Sequence, residues 1–149
     1  MNPTMLYSPT GLKLTQSFES CRLVPYQDGG GVWTDGWGNT HGVIPHGPAI
    51  TQKKADDDLA INVGSAVHTV NFFVHVDLKQ SEFDALVDFV FNVGSGNFTG
   101  STLLRKLNMH DMVGAAHEFE RWDMDNGKHV AGLLRRRKAE EAMWNLGGS

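Results

Sequence analysis

The stretch Phe18–Gly38, FESCRLVPYQDGGGVWTDGWG, decides how this chain of 149 residues is read. It holds an acid, Glu19, a second acid nine positions on, Asp28, and a hydroxyl six positions beyond that, Thr34. Pro25 disfavours helix in the residue before it, and the run Asp28-Gly29-Gly30-Gly31 is turn chemistry. Val32, Trp33 and Trp37 lie beside Gly36 and Gly38, a mixture of strand formers and turn formers that predicts a small antiparallel hairpin or three-stranded sheet between Arg22 and about Ile44. Upstream, Ser8 followed by Pro9 reads as a helix start, serine as cap and proline at the first helical position. Leu14 and Phe18 share one face of that helix, which is expected to end near Glu19 to Arg22. Glu19 then closes a helix while Asp28 and Thr34 sit on the adjoining sheet or its turns, so that three groups can face one cleft.

Two carboxylates on a short, turn-rich segment are what sugar-bond hydrolysis requires. One donates a proton to the leaving oxygen, and the other stays ionised and handles a water or the sugar cation. The place of Glu19 at a helix end beside Phe18 suits the donor. Asp28, in a polar turn, suits the anion, and the Thr34 hydroxyl can hold a water. Each residue also has a plain structural reading: an isolated acid is commonly a solvated group or a cap, and an aspartate before a glycine run is a good turn residue by itself.

Downstream the pattern is mainly helical, giving an α+β chain with one small sheet early in the sequence. ITQKKADDDLAINVGSAVHTVNFF reads as one long helix capped by Thr51, with Ala55, Leu59, Val63, Ala66, Val67 and Val70 at three- and four-residue steps. In QSEFDALVDFVFNVG, Phe83, Leu86, Val87 and Val90 form an apolar stripe that Gly94 stops. Shorter helices are predicted from Ser101 to about Leu107 and from Asp111 to about Trp122, and a last one from about Ala131 to Asn145. Arg135-Arg136-Arg137-Lys138 occupy four successive helical positions and so point to all sides, which reads as largely solvated; contact with an anionic glycan or with Glu19 is the alternative.

Composition excludes several classes. A net charge of -4 and a hydrophobic fraction of 40% describe a folded domain without the basic surface of a nucleic-acid binder. The single cysteine, Cys21, cannot close an intramolecular disulfide, which suits synthesis in a reducing cytosol. No segment has the length and apolar character of a membrane span, and the N-terminus lacks a basic region followed by an apolar stretch. Seven histidines, His68 and His75 and His110 and His117 among them, come without an HExxH or Cys/His cluster, so neither a metal nor another cofactor is expected. Trp33 and Trp37 lean to core packing over sugar stacking.

The segment from Glu19 to Gly38 resembles the active-site segment of the phage-type lysozymes, glycoside hydrolase family 24. The resemblance continues through FDALVDFVFNVG, GSTLLRKLN, Phe119-Glu120-Arg121-Trp122 and GLLRRRKAEEAMW, nearly the whole chain in order. It implies a single lysozyme-like catalytic domain over residues 1–149. In that domain a small β-hairpin lobe at about 20–50 and a linking helix at about 51–71 precede a larger helical lobe at about 72–149, which the N-terminal helix joins. It implies an N-acetylmuramidase acting on peptidoglycan for host lysis, an inverting mechanism with Glu19 as acid and Asp28 and Thr34 on the water, and Asn92 along the substrate cleft. The expected enzyme is a monomer with no stable membrane insertion, made in the bacterial cytoplasm and reaching the wall after a holin-like pore opens. The family commonly reads Gly-His-Thr where this chain reads Gly38-Asn39-Thr40, with His41 next, so no histidine role is carried over. A lytic transglycosylase, which needs one glutamate and no water-directing partner, and a non-catalytic peptidoglycan-binding module are the competing readings.

Overall fold

The computed structural model describes residues 4–147. Within them the chain runs through α1 (Pro9–Phe18), β1 (Arg22–Gln27), β2 (Trp33–Gly36), α2 (Gln52–Asn62), α3 (Gly64–Phe73) and α4 (Gln80–Val93). It continues through α5 (Ser95–Thr99), α6 (Thr102–Asn108), α7 (Met112–Glu118), β3 (Met124–Asp125), β4 (Lys128–His129) and α8 (Ala131–Leu146). The fold is α+β and mainly helical, with two small antiparallel sheets, β1-β2 and β3-β4, among the described residues. Two compact units emerge. The smaller is Lys13–Gly64; the larger joins the described part of Met1–Leu12 to that of Ser65–Ser149.

In the smaller unit, β1 and β2 pair with Tyr26 opposite Thr34 and Gln27 opposite Trp33, and the ladder is irregular between Arg22 and Tyr26. Pro25 lies in that interval and has no N–H to give, which accounts for the interruption. The Arg22 guanidinium sits 3.9 Å from the centre of the Tyr26 ring, so its nearest aromatic partner lies on its own strand. β2 ends at Gly36, whose φ is +54° and where a Cβ would lie 3.1 Å from the Ala55 Cβ of α2. Glycine takes that backbone without strain and that approach without displacing Ala55. α2 opens as the sequence predicts: the Thr51 hydroxyl accepts the Lys54 N–H at 3.1 Å, and Ala55 and Leu59 are buried.

The predicted long helix is divided. Val63 is a one-residue turn, φ -73° and ψ -14°, that closes α2, and α3 resumes at Gly64. The apolar spacing runs unbroken through this point, but glycine is a poor helix former, and three- and four-residue steps do not reveal a one-residue turn.

In the larger unit, α4 is the centre. Every residue from Glu82 to Val90 is buried, and α8 packs along it. The Phe89 ring meets Phe98, Phe119 and Trp122 edge to face at centroid distances of 6.3, 5.3 and 5.7 Å. Ser8 caps α1 by accepting the Gly11 N–H at 3.1 Å and also hydrogen-bonds Asp84 of α4. Ser101 and Asp111 cap α6 and α7 as predicted, although α7 stops at Glu118 and a 3₁₀ turn covers Phe119–Arg121. The β3-β4 hairpin was not predicted. Its turn is Asn126-Gly127, with φ of 50° and 77°, a dipeptide that favours such hairpins in any sequence.

The basic run of α8 corrects an expectation. Arg135 and Lys138 are exposed, but Arg136 and Arg137 are buried. Arg136 forks onto Asp88 at 2.9 and 2.8 Å, and Arg137 Nη2 donates to Glu140 at 3.0 Å, with its Nε 2.7 Å from the other Glu140 oxygen. The sequence reading missed this because the acids that meet the arginines come from α4, 48 residues away, and from one turn further along α8. Burial holds the Glu140 carboxyl well above its ordinary value of 4.5, with Asp88 beside it adding to the rise and Arg137 opposing it. An acid raised in the folded state is protonated in native and unfolded chains alike at low pH, and stability is lost as pH rises through the interval between its two values. Glu140→Gln, which mimics the protonated side chain, should therefore gain stability relative to wild type as pH is raised from 4.5 towards neutrality, measured by thermal denaturation; parallel curves would show that folding does not raise the Glu140 carboxyl. Glu140→Ala should cost about 3 kcal/mol by stranding Arg137.

Candidate active site

Glu19, Asp28 and Thr34 all fall in the smaller unit. Glu19 is half-buried and directly follows the last residue of α1; its backbone N–H still donates to the Thr15 carbonyl at 3.1 Å, so the side chain leaves from the final helical turn. Asp28 is exposed and closes the β1-β2 turn. Its Oδ1 accepts the N–H groups of Gly30 and Val32, both at 2.9 Å, and its own N–H donates to the Val32 carbonyl at 2.9 Å. Oδ2 has no hydrogen-bond partner among the described residues. Thr34 is 4% exposed, and its hydroxyl donates to the same Val32 carbonyl at 2.9 Å.

Val32 thus joins the second acid to the hydroxyl: its N–H and carbonyl hold Asp28, and the carbonyl also holds Thr34. The consequence is chemical. With the Thr34 proton committed to Val32, the hydroxyl meets any water as an acceptor, and Asp28 Oδ2 is an acceptor too. A water between two acceptors gives up both of its hydrogens and presents its lone pairs elsewhere.

The aromatics of the segment are neither fully buried nor fully exposed. Trp33 packs edge-on against His46 at 4.6 Å, and Trp37 Nε1 donates to Asp56 of α2 at 2.8 Å, which together with Gln52 lowers the Asp56 pKa. Strand alternation does not carry from Trp33 to Trp37, because β2 ends at Gly36. Cys21 is half-buried, 3.7 Å from Gln52 Nε2. Asn92 belongs to the larger unit, where it is exposed at the end of α4 and lines a cavity of about 490 Å³ with Trp122, Leu133 and Arg137. Among the described residues, no three His, Cys, Asp or Glu side chains converge as a metal site would need.

Comparison with known proteins decides the family. The Phage lysozyme family model matches residues 16–140. The chain belongs to the phage lysozyme family. It is 40% identical over 144 residues to an endolysin of Acyrthosiphon pisum secondary endosymbiont phage 1, a match covering 94% of this chain and 98% of that protein. Among solved structures it is similar to an endolysin from Escherichia coli O157:H7 phage FAHEc1, with 31% identity, a TM-score of 0.88 and coverage of 99% and 98%. It is also similar to the muramidase domain of SpmX from Asticaccaulis excentricus, with 35% identity, a TM-score of 0.85 and coverage of 93% and 97%. The fold is therefore lysozyme-like, and the enzyme is a lysozyme-type glycoside hydrolase with the endolysin function of host lysis.

Within this family member, two residues beside Thr34 escaped the sequence reading. Asp35, 2% exposed, and Asn39, 3% exposed, bond to each other through backbone and side chains. Asn39 was noted only for standing where the family commonly has histidine. An aspartate inside a predicted strand is the signal that was available: a charge placed there needs a partner when the strand is covered.

The turn role and the chemical role of Asp28 can be separated. Asn at this position keeps an oxygen for the Gly30 and Val32 N–H groups but loses the charge. Asp28→Asn should hold stability to within about 1 kcal/mol of wild type and lose roughly 100-fold or more in clearing a peptidoglycan suspension. Wild-type activity in that variant would reduce Asp28 to a turn residue.

Proposed function

We propose that the enzyme hydrolyses the β-1,4 bond between N-acetylmuramic acid and N-acetylglucosamine in bacterial peptidoglycan by a single displacement with inversion. Glu19 gives its carboxyl proton to the glycosidic oxygen as the bond from the sugar anomeric carbon to that oxygen breaks. A water, held by Asp28 Oδ2 and the Thr34 hydroxyl, attacks the same carbon from the opposite face and passes a proton to Asp28. Asn92 contacts the substrate. The observation that carries this reading is the shared Val32 peptide: it holds a carboxylate with one uncommitted oxygen and a hydroxyl whose proton is already spent, which is the equipment to orient a water. A covalent path would ask Asp28 to attack carbon itself and would leave Thr34 without work.

Residues 1–149 act as one catalytic domain, with a small lobe at about 20–50 and a linking segment at about 51–71 that α2 and most of α3 make up. The enzyme works as a monomer on glycan strands, with no bound cofactor and no nucleic-acid partner. Among the described residues no helix is long and apolar enough to cross a membrane. Peptidoglycan lies outside the cytoplasmic membrane, so an enzyme made in the cytoplasm reaches the wall once a holin-like pore permeabilises that membrane.

Glu19→Gln should keep its circular dichroism spectrum and lose about 100-fold or more of the lytic rate. Full activity would remove Glu19 as the acid. A proton-NMR time course on wild type should show the new anomeric centre appearing first in the inverted configuration. First appearance of the retained anomer would overturn the single displacement, and an anhydro sugar end in the products would overturn hydrolysis in favour of a lytic transglycosylase.

A further inference from the structure

Asn39 takes no part in the chemistry above, yet it spends every hydrogen-bonding group it has. Its backbone N–H and carbonyl pair with Asp35 at 2.8 and 2.9 Å. Its side-chain Nδ2 donates to Asp35 Oδ1 at 3.1 Å and to the His41 carbonyl at 2.9 Å. Its Oδ1 accepts the His41 N–H at 3.3 Å and Asn62 Nδ2 at 3.1 Å. A primary amide has two N–H bonds and two lone pairs, so the side chain is saturated. Asp35 follows Thr34 directly in β2, and Asn62 is the last residue of α2, the helix against which Gly36 closes. The strand that carries Thr34 is therefore tied to α2 through one buried amide.

We propose that Asn39 is the positioning residue for Thr34, a neutral hub that fixes the hydroxyl where it can hold the attacking water. The inference rests on the water-holding role given to Thr34 above. Other side chains fail at the hub for stated reasons. A neutral imidazole, the group the family commonly carries here, has one donor and one acceptor against the four contacts to be filled. An aspartate has no donor and would face Asp35 across the former Asn39–Asp35 hydrogen bond. The charged groups around such a pair are Asp35 on β2 and Lys54 on α2, whose ammonium feels both Asp58 and Asp35.

The test measures kcat and KM on a soluble oligosaccharide of alternating N-acetylglucosamine and N-acetylmuramic acid. Asn39→Asp and Asn62→Ala are compared in wild-type and Thr34→Ala backgrounds, with folding followed by circular dichroism. Asn39→Asp should lower kcat about tenfold with KM within about twofold of wild type, and under about twofold when Thr34 is already Ala. The kcat ratio of variant to wild type should rise as pH falls, because a proton shared between positions 35 and 39 restores a donor. Asn62→Ala, which removes a single bond, should lower kcat about threefold in the wild-type background only; it carries the test if Asn39→Asp does not fold. A folded variant with wild-type kcat overturns the proposal, as does a pH-independent loss of equal size in both backgrounds, which is the mark of a purely structural residue. Failure of the wild-type enzyme to cleave this glycan, or full activity in Thr34→Ala, strikes instead at the preceding reading and removes this one with it.

Discussion

One carboxylate oxygen, Asp28 Oδ1, sets the geometry on which the site depends. By accepting two backbone N–H groups it closes the turn between β1 and β2 and fixes Val32, whose carbonyl in turn takes the Thr34 hydroxyl. A charge-assisted hydrogen bond from a carboxylate to backbone N–H is among the stronger interactions at an exposed position. The turn thereby gains backbone hydrogen bonds that its three successive glycines have no side chains to supply. The arrangement uses the side chain unevenly: one oxygen takes both backbone N–H groups, and the other takes none among the described residues.

The two compact units use polarity differently. In the smaller, the buried polar groups are mostly uncharged or singly charged and are satisfied one by one. Asn39 fills its amide, Thr34 donates to Val32, and Gly36 lets a strand lie directly on Ala55. In the larger, Asp88, Arg136, Arg137 and Glu140 are all buried, against an aromatic cluster centred on Phe89. Such ion clusters contribute little net stability once desolvation is counted, but breaking one partner is costly. A raised Glu140 pKa shows the direction in which that tension is relieved: the carboxyl, buried first of all and also crowded by Asp88, takes up a proton more readily than a solvated one.

Much of the fold was readable along the chain because it rests on short-range interactions. Local rules produced α1 with its Ser8 cap, α2 with its Thr51 cap, the buried stripe of α4 and the caps of α6 and α7, because each depends on residues within about one turn of one another. The same rules fell short where the deciding partner is distant or subtle. The long helix breaks at Val63 on a single turn, and Arg136 and Arg137 looked solvated because Asp88 lies in another helix. The hairpin at Asn126-Gly127 is local too, resting on a dipeptide that takes positive φ at both positions.

For the site, the sequence by itself determined the chemical inventory: an acid at a helix end, a second acid before a glycine run, a hydroxyl on the following strand, and the family that assembles them. Those are local facts, carried by residue type and spacing. Tertiary structure decided the hydrogen bonds: that Asp28 commits one oxygen and leaves the other, that the Thr34 hydroxyl donates to the Val32 carbonyl, and that Asn39 binds β2 to α2. Donor and acceptor assignments depend on which groups meet in space, and pairs such as Asn39 with Asn62, or Arg136 with Asp88, lie 23 and 48 positions apart. Periodicity and propensity reach no further than a few turns of the chain, so contacts at that separation are written only in the folded molecule.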